Sequence, residues 1–318
     1  MWKELSMSAK SERPVRCLEL VGRLSLLGRS AIVALALLGG ATTAEACDLA
    51  LVEGARTARI EYNPFAVAPT PGVLDVALEN KGEAECDLRL SFTDETGIEV
   101  ISAVLGGVEV RFRPRESSGV QAADVQRGVF QYPLAAGSKG IAQLDAVVVR
   151  GAVADAGEYG VNLRLVIKNV DGTELISPVP VRLVLQSTPR AQLNLAGAAG
   201  AFGEGLSVEV VDFGEAVTGA TRRIFVQVRA NAPSVLTIKS EHGGVMHRVE
   251  KAENATVVPY AVELAGETVD LTGLWTKEID PPRTLAGISL PMNFILGRVN
   301  GQMSGRYEDL VTIDVSPK

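Results

Sequence analysis

"AGEYGVNLRLVI", residues 156–167, and "SGRYEDLVTIDV", residues 304–315, share one pattern and decide the predicted fold. Each contains Gly, a charged residue and Tyr, followed by a run of apolar residues that is typical of a β-strand. The two tyrosines are 148 residues apart, and a second aromatic pair, Tyr62 and Phe213, is 151 residues apart. Two nearly equal offsets indicate a duplicated domain, in which Gly-x-Tyr forms a turn and the ring packs at the end of a β-sandwich.

Other segments of the 318-residue chain also alternate between apolar and polar residues, as strands with one wet face do. In "CDLRLSF", residues 86–92, every second residue is apolar. The length exceeds that of a usual single core, and the polar segment "STPRAQ", residues 187–192, separates two series of such strands. We therefore predict an all-β protein with two Ig-like antiparallel β-sandwiches in tandem, residues 47–187 and residues 188–318.

The first 46 residues have the composition of a signal peptide. Six basic residues precede an apolar run, "AIVALALLGGA" at residues 31–41, which is too short to span a bilayer. Ala44 and Ala46 fit the two small positions of a cleavage site, so we predict secretion with cleavage after Ala46. A lipoprotein with an acylated Cys47 is the weaker alternative, because the charged Glu45 stands where a small residue belongs.

Charge and cysteine content narrow the range of partners. Removal of the signal peptide leaves 25 Lys and Arg against 34 Asp and Glu, a formal charge of −9. This charge argues against nucleic acid and against anionic membranes as partners. Cys47 and Cys86 are the two cysteines that remain, and in an oxidising compartment we expect them to form a disulfide rather than a metal site.

Three motifs follow one another in the second half. They are a Phe-Gly after the first strand, "VDFGEAVTG"; a Pro-Tyr in a middle strand, "VPYAVELAG"; and a closing Gly-x-Tyr-x-Asp strand, "SGRYEDLVTIDVSP". With these motifs, residues 206–317 resemble the spore coat protein U family of pilin-type domains, which build archaic (Csu-type) chaperone–usher pili. The first half is more distant, since "AGEYGVNLRLVI" lacks the Asp, and the whole chain is most similar to a two-domain tip adhesin.

Domains of this family lack the last strand of the sandwich, so the resemblance implies a C-terminal sandwich that accepts a β-strand from another chain. The partners that it implies are a periplasmic pilus chaperone, an outer-membrane usher and an adjacent pilin subunit that donates the strand. The first sandwich continues through "ELISPVPVRLVLQS", which we expect to supply its own last strand. The residues expected to line the donor-strand groove are Phe225, Val226, Val228, Leu310, Val311, Ile313 and Val315.

The resemblance also implies a position and a role in the fibre. The predicted mature chain begins at Cys47 with no free segment to donate, so we expect a tip subunit that attaches to a host or abiotic surface. Three stretches, "NPFAVAPTPG", "ISAVLGG" and "VFQYPLAAG", are unusually apolar for loops, and we expect them to form a binding patch at the far end of the first sandwich. For any single residue, the alternative is an ordinary strand or a buried turn. The expected binding residues are Phe65, Val67, Val104, Leu105, Phe130, Tyr132 and Leu134.

No pattern in the sequence predicts an enzyme, a metal site or a cofactor. His242 and His247 frame "HGGVMH", but no third zinc ligand and no Gly-x-Ser-x-Gly accompany them, which favours a hairpin turn. The predicted function is therefore that of a secreted, adhesive pilus tip subunit, which passes through the periplasm to the cell surface. Two alternatives stay open: a secreted spore-coat-U-type surface protein without a pilus, and a periplasmic assembly chaperone, which also has two Ig-like domains.

Overall fold

A computed structural model describes residues 47–54, 56–68, 71–149, 151–196, 202, 209–250 and 256–318. The predicted signal peptide lies outside these residues. All the regular secondary structure in these residues is β-strand, with no helix among them, so the predicted all-β class is confirmed. The described residues contain no helix with the length and apolar character required to cross a membrane.

Eleven strands precede residue 188 and form two sheets that enclose a common core. The strands are β1 (Leu49–Leu51), β2 (Thr57–Tyr62), β3 (Gly72–Asn80), β4 (Cys86–Thr93), β5 (Ser102–Leu105), β6 (Val108–Pro114), β7 (Gln121–Asp124), β8 (Val129–Leu134), β9 (Lys139–Val148), β10 (Gly157–Lys168) and β11 (Val179–Ser187). One sheet has the order β1-β3-β9-β6-β5, and the other has the order β2-β11-β10-β4-β8-β7. Between them lies a core of 31 buried hydrophobic residues among those described.

Strand β11 closes this first sandwich. It pairs with β10 in antiparallel fashion, from Gly157↔Ser187 onwards, and with β2 in parallel fashion, ending at Ser187↔Tyr62. It comes from the "PVPVRLVLQS" stretch that follows the first Gly-x-Tyr strand. The strand that follows the first copy of the Gly-x-Tyr pattern therefore has a covering neighbour from the same chain.

Ten strands follow and form two further sheets around a second core. The strands are β12 (Ala191–Ala196), β13 (Thr221–Ala230), β14 (Ser234–Ser240), β15 (Val245–Arg248), β16 (Val257–Leu264), β17 (Glu267–Val269), β18 (Trp275–Ile279), β19 (Ile288–Leu296), β20 (Tyr307–Glu308) and β21 (Val311–Pro317). The larger sheet has the order β12-β13-β19-β16-β15-β20, with β17 added beside β16, and the smaller sheet has the order β18-β14-β21. Strand β12 begins inside the predicted linker, whereas residues 209–219, which contain the Phe-Gly motif, form no strand.

The two Gly-x-Tyr turns have the same geometry. Tyr159 donates a hydrogen bond from its hydroxyl to the carbonyl of Asp155 (3.3 Å), and Tyr307 donates one to the carbonyl of Met303 (2.8 Å), in both cases four residues back. The preceding glycines, Gly157 and Gly305, have φ angles of 148° and 151°, which L side chains rarely adopt. This is the tyrosine-corner arrangement, and it supports the predicted role of the repeated pattern as a turn with an aromatic plug.

A buried asparagine joins the two series of strands. Asn231 is fully buried, and its side-chain amide donates hydrogen bonds to the Ser187 hydroxyl and to the Thr188 carbonyl, each at 3.0 Å. Its side-chain oxygen accepts a hydrogen bond from the Arg190 amide (2.7 Å), and its main-chain carbonyl accepts one from the amide of Ala156 (2.8 Å), next to Gly157 of the first tyrosine corner. A buried amide with all these partners fixes the chain that connects β11 to β12.

The predicted disulfide is present. Cys47 and Cys86 are bonded, with their Cα atoms 5.2 Å apart. The bond ties the segment before β1 to the start of β4, while β1 itself lies at a sheet edge beside β3. The short edge strand β1 therefore depends on a covalent link as well as on its ladder.

Reduction of this disulfide should destabilise the first sandwich. The bond closes a loop with a sequence separation of 39 residues, for which the chain-entropy model gives a stabilisation of about 4 kcal/mol. We expect a double Cys47→Ala, Cys86→Ala variant to lower the midpoint of the first sandwich in calorimetry by roughly as much as dithiothreitol lowers that of the wild-type protein. Addition of dithiothreitol to the variant is the control and should change nothing. An unchanged unfolding midpoint in the variant would contradict the stabilising role of the disulfide.

Candidate functional site

An uncovered edge separates the two sheets of the second sandwich. Strand β12 is the edge of the larger sheet and β21 is the edge of the smaller one. Some of their Cα atoms lie within 8 Å of each other, but no ladder joins them, and no other described strand lies between them. In the first sandwich the corresponding place, between β2 and β10, is filled by β11.

The side chains of β21 are less buried than their counterparts in the first sandwich. Counted from the tyrosine, Val311, Ile313 and Val315 stand at the positions of Leu163, Leu165 and Ile167 in β10. The three residues of β10 are 4%, 0% and 0% exposed, whereas the three residues of β21 are only partly buried. All six belong to strands that follow a tyrosine corner, and among the described strands only β10 has a further neighbour, β11, beside it.

The opposite side of the same ladder confirms that β21 faces the core. Ile313 pairs with Ile238, and Val315 pairs with Leu236, and both of these β14 residues are fully buried. In the described residues the second core has 11 buried hydrophobic residues and 12 partly buried ones, against 31 and nine in the first. Leu193 of β12 is among the partly buried ones. Both strands at the gap therefore present apolar side chains that are incompletely covered.

Four of the other predicted groove positions divide into two kinds. Val226 and Val228 are fully buried in β13 and pair with Leu195 and Leu193 of β12, so they lie beneath the groove edge. Phe225 is 42% exposed, and it lies on the opposite face of β13, because side chains alternate along a strand.

Leu310 precedes β21 and is 60% exposed. The prediction that Phe225 and Leu310 line the groove is therefore wrong, since neither side chain points into the second core.

A buried carboxylate organises the turn before β21. Asp309 accepts hydrogen bonds from the hydroxyls of Ser240 and Tyr260 (both 2.5 Å), from the Leu310 amide (2.9 Å) and from the His242 ring (2.8 Å). Burial alone would raise the pKa of the Asp309 carboxyl, but these four groups outweigh burial and leave that pKa below its ordinary value. Burial and the neighbouring carboxylate raise the pKa of the Tyr260 phenol. Asp309 is thus an ionised acceptor that fixes the start of the uncovered strand.

His242 and His247 lie beside the Asp309 carboxylate, a contact that the sequence analysis did not predict. Glu241, His242 and Asp309 bring their ligand atoms within 4.8 Å of one another, and the rings of His242 and His247 have centroids 4.4 Å apart. Both oxygens of Asp309 already accept hydrogen bonds, which leaves the carboxylate poorly placed to bind an ion. The signal that could have revealed this contact was the Asp of Gly-x-Tyr-x-Asp, which the resemblance singled out without a role.

The first of the three apolar stretches lies at the junction of the two sandwiches. Phe65 is 8% exposed, and the guanidinium of Arg229 in β13 covers its ring at 4.7 Å. Val67 is 94% exposed and lines, with Leu285, a depression of about 230 Å³. The expectation that this stretch projects from the far end is therefore wrong, because its aromatic residue packs against the second sandwich.

The second stretch forms β5 and the turn after it. Leu105 is 2% exposed and packs in the core, whereas Val104 is 71% exposed on the other face. Gly106 follows with φ of 57°, so close to the ring of Tyr159 that a Cβ would lie 2.6 Å from it. This turn therefore lies over the tyrosine corner, near the junction.

The third stretch is strand β8 rather than a loop. Phe130, Tyr132 and Leu134 are 4%, 9% and 3% exposed and face the core, while the residues between them are more exposed. The expected exposure is wrong for these three residues, as it is for Phe65 and Leu105, because their apolar side chains pack inside the protein. A binding role for the exposed Val67 and Val104 stays a prediction.

The end of the first sandwich away from the junction is built by polar loops. Strand β10 starts beside Asn231 and ends at Lys168, where β4 pairs with it. Beyond this point Asn80, fully buried, donates hydrogen bonds to the carbonyls of Ala84 (2.7 Å) and Ala135 (3.1 Å) and accepts one from the Gly82 amide (3.0 Å). A buried polar side chain thus shapes the loops that project there.

Comparisons with known proteins give structural similarities only. No family model matches the chain, and no curated protein matches it. A chain of the CsuC–CsuE chaperone–tip adhesion subunit complex, from archaic chaperone-usher Csu pili of Acinetobacter baumannii, has 10% identity and a TM-score of 0.42, with 83% of this chain and 99% of that chain covered. The CupB6 tip adhesin from Pseudomonas aeruginosa has 13% identity and a TM-score of 0.30, with 85% and 94% covered. The YadV chaperone has 8% identity and a TM-score of 0.22, with 83% and 100% covered.

Proposed function

We propose that this protein is a structural and adhesive subunit of a chaperone–usher pilus, whose second sandwich accepts a β-strand first from a periplasmic chaperone and then from the next pilin. The observation that carries the proposal is the uncovered β21. Its apolar residues are half-buried at the positions where β10, covered by β11, is fully buried. An open apolar edge is an aggregation hazard unless another chain covers it.

The first sandwich supplies a template for the incoming strand. In it, Val179 and Val181 of β11 lie opposite Leu165 and Leu163 of β10. A strand added to β21 in the same way would run antiparallel to it, with apolar residues at every second position. Because some Cα atoms of β12 lie within 8 Å of β21, β12 would move outward to admit the added strand, which would then run parallel to it. Each apolar side chain that becomes fully buried would contribute about 1.5–3 kcal/mol. Strand addition of this kind combines main-chain hydrogen bonds with pockets for alternate side chains.

The two sandwiches then have different roles. The first is closed by its own β11 and has no vacant strand position between β2 and β10, so its surface is available for attachment to a host or abiotic surface. The second sandwich joins the protein to the fibre by accepting a strand from the next pilin at the outer-membrane usher. This division fits a tip subunit, which passes through the periplasm and reaches the cell surface without catalytic activity.

Hydrogen exchange tests the proposal within one molecule. We expect the amides of β21 and β12 in the mature protein to exchange at least tenfold faster than those of β10 and β2, because the latter are covered by β11. Addition of a partner chaperone, or of a peptide with alternating apolar residues, should protect β21 and β12 and leave β10 unchanged. Equal protection of β10 and β21 in the isolated protein would refute the open edge.

A further inference from the structure

The outer face of the six-stranded sheet carries a depression of about 440 Å³ over β2, β10 and β11. Three arginines, Arg56, Arg164 and Arg182, surround it, and we call this surface the arginine trough. Thr57, Asn162 and Glu95 complete its polar lining. Such a concentration of cations is unexpected in a chain whose mature form has a formal charge of −9.

The strand register brings these side chains together. Arg182 of β11 pairs with Asn162 of β10 on one side and with Thr57 of β2 on the other, so the three form one row across the sheet. Arg164 lies two residues further along β10, on the same face as Asn162. Residues from three separate parts of the sequence therefore converge on one rigid surface.

The guanidinium groups of the trough lack partners within the described protein. Arg56, Arg164 and Arg182 take part in no ion pair and no side-chain hydrogen bond with another described residue. On the same sheet, Arg59 differs, since it donates to Glu158 (3.1 Å) and to Gln186 (2.8 Å). Three unpaired guanidinium groups around one depression can donate forked hydrogen bonds to an oxyanion.

We propose that the arginine trough binds an acidic saccharide, with a uronic-type carboxylate on the arginines and sugar hydroxyls on Glu95 and Asn162. The Glu95 carboxylate accepts a hydrogen bond from the Asn162 amide (3.2 Å) and has further lone pairs for hydroxyl donors. A ligand with anionic groups alone, such as sulfate or a nucleic acid, would meet repulsion from Glu95 and gain nothing from it. A carboxylated sugar offers both the oxyanion and the hydroxyl groups that the trough can bind.

The proposal gives a ligand class to the adhesive role proposed above and rests on that role for its biological purpose. It does not depend on strand acceptance, because the trough belongs entirely to the first sandwich and the groove belongs to the second. The two proposals can therefore fail separately. Hydrogen exchange tests strand acceptance by the second sandwich, and calorimetric titration tests saccharide binding by the arginine trough.

The test uses the full mature chain and tetragalacturonate as the probe. We expect saturable binding in calorimetric titration, a loss of at least tenfold in affinity for Arg182→Ala and for Arg164→Ala, and a smaller loss for Arg182→Lys, which keeps the charge without the fork. Arg59→Ala is the matched control on the same sheet and should leave the affinity unchanged. Since these side chains are exposed, circular dichroism should show that all four variants fold.

Neutral maltotetraose, which has sugar hydroxyls without a charge, and inorganic sulfate, which has a charge without sugar hydroxyls, test whether binding requires both groups. Neither should compete with tetragalacturonate at ten times its concentration. Sulfate or a single-stranded oligonucleotide that binds as tightly as the saccharide would reduce the trough to a general anion site and overturn the proposal. Absence of tetragalacturonate binding, or equal binding by Arg182→Ala, would overturn it as well.

Discussion

Residues 169–187, appended as a second copy after Lys318, should raise the yield of soluble monomer that the mature protein gives. In the first sandwich this segment contains the connection after β10 and strand β11, which covers β10. Its four inward residues, Val179, Val181, Leu183 and Leu185, are at most 3% exposed there. Their burial against β21 would contribute about 6–12 kcal/mol before the entropy of ordering the strand is subtracted. This is comparable to the whole stability of a domain, so we expect at least a tenfold gain in soluble yield.

A control with the same composition separates strand acceptance from a general gain in solubility. In it, the appended strand has its apolar and polar residues exchanged between neighbouring positions, which turns the apolar side chains to the outer face. This version should give no more soluble monomer than the unmodified chain does. If the unmodified mature chain gives as much soluble monomer as the appended one, or if both appended strands raise the yield equally, the second sandwich does not need a foreign strand.

Replacement of Asp309 should produce the largest loss of stability from a single side chain. In Asp309→Ala, the hydroxyls of Ser240 and Tyr260 lose a charged acceptor, at about 1.5–3 kcal/mol for each hydrogen bond. We therefore expect a loss of about 3–6 kcal/mol, and a smaller loss for Asp309→Asn, which keeps one oxygen. Urea unfolding of the strand-appended protein, followed by the fluorescence of Trp275 in the second sandwich, measures the change.

The same carboxylate predicts how stability depends on pH. The pKa of Asp309 is lowered in the folded protein, so its contribution is present above the ordinary carboxyl pKa of 3.8 and is lost as the pH falls through the folded value. The unfolding free energies of the wild-type protein and of Asp309→Asn should therefore differ at pH 7 and converge below about pH 4. Asp314→Asn, an exposed position in β21, is the control. A constant difference between pH 7 and pH 3 would contradict the ionised role of Asp309.

Local patterns were sufficient to predict what depends on neighbouring residues. The alternation of apolar residues predicted β4 and β10, and the repeated Gly-x-Tyr predicted the two corners, because a period of two and a positive φ are properties of short segments. Residues 129–134, expected to form an apolar loop, form β8 instead, because their ladder with β4 turns three of their apolar side chains into the core.

Features that depend on strand register could not be predicted. The arginine trough requires Thr57, Asn162 and Arg182 to lie in one row, which depends on the pairing of β11 with β2, a strand over a hundred residues away in sequence. The hydrogen bonds of Asp309 with Ser240 and Tyr260 also cross strands from distant parts of the chain. The error at Phe225 has a different cause: an apolar side chain suggests a groove position, but alternation along β13 places Phe225 on the outer face, opposite the buried Val226.

The segment from Asn169 to Ser187, which contains the connection after β10 and strand β11, is the difference between a closed sandwich and one that can accept a strand. Under the proposed function, a sandwich that carries such a segment after its tyrosine corner accepts no foreign strand, whereas a sandwich without a covering strand keeps a position that a foreign strand can fill. Its deletion from the first sandwich would leave a molecule with two vacancies, and two foreign strands would then be required to complete it. Whether a sandwich of this type ends a filament or lengthens it would thus be determined by one connection and one strand rather than by its whole sequence.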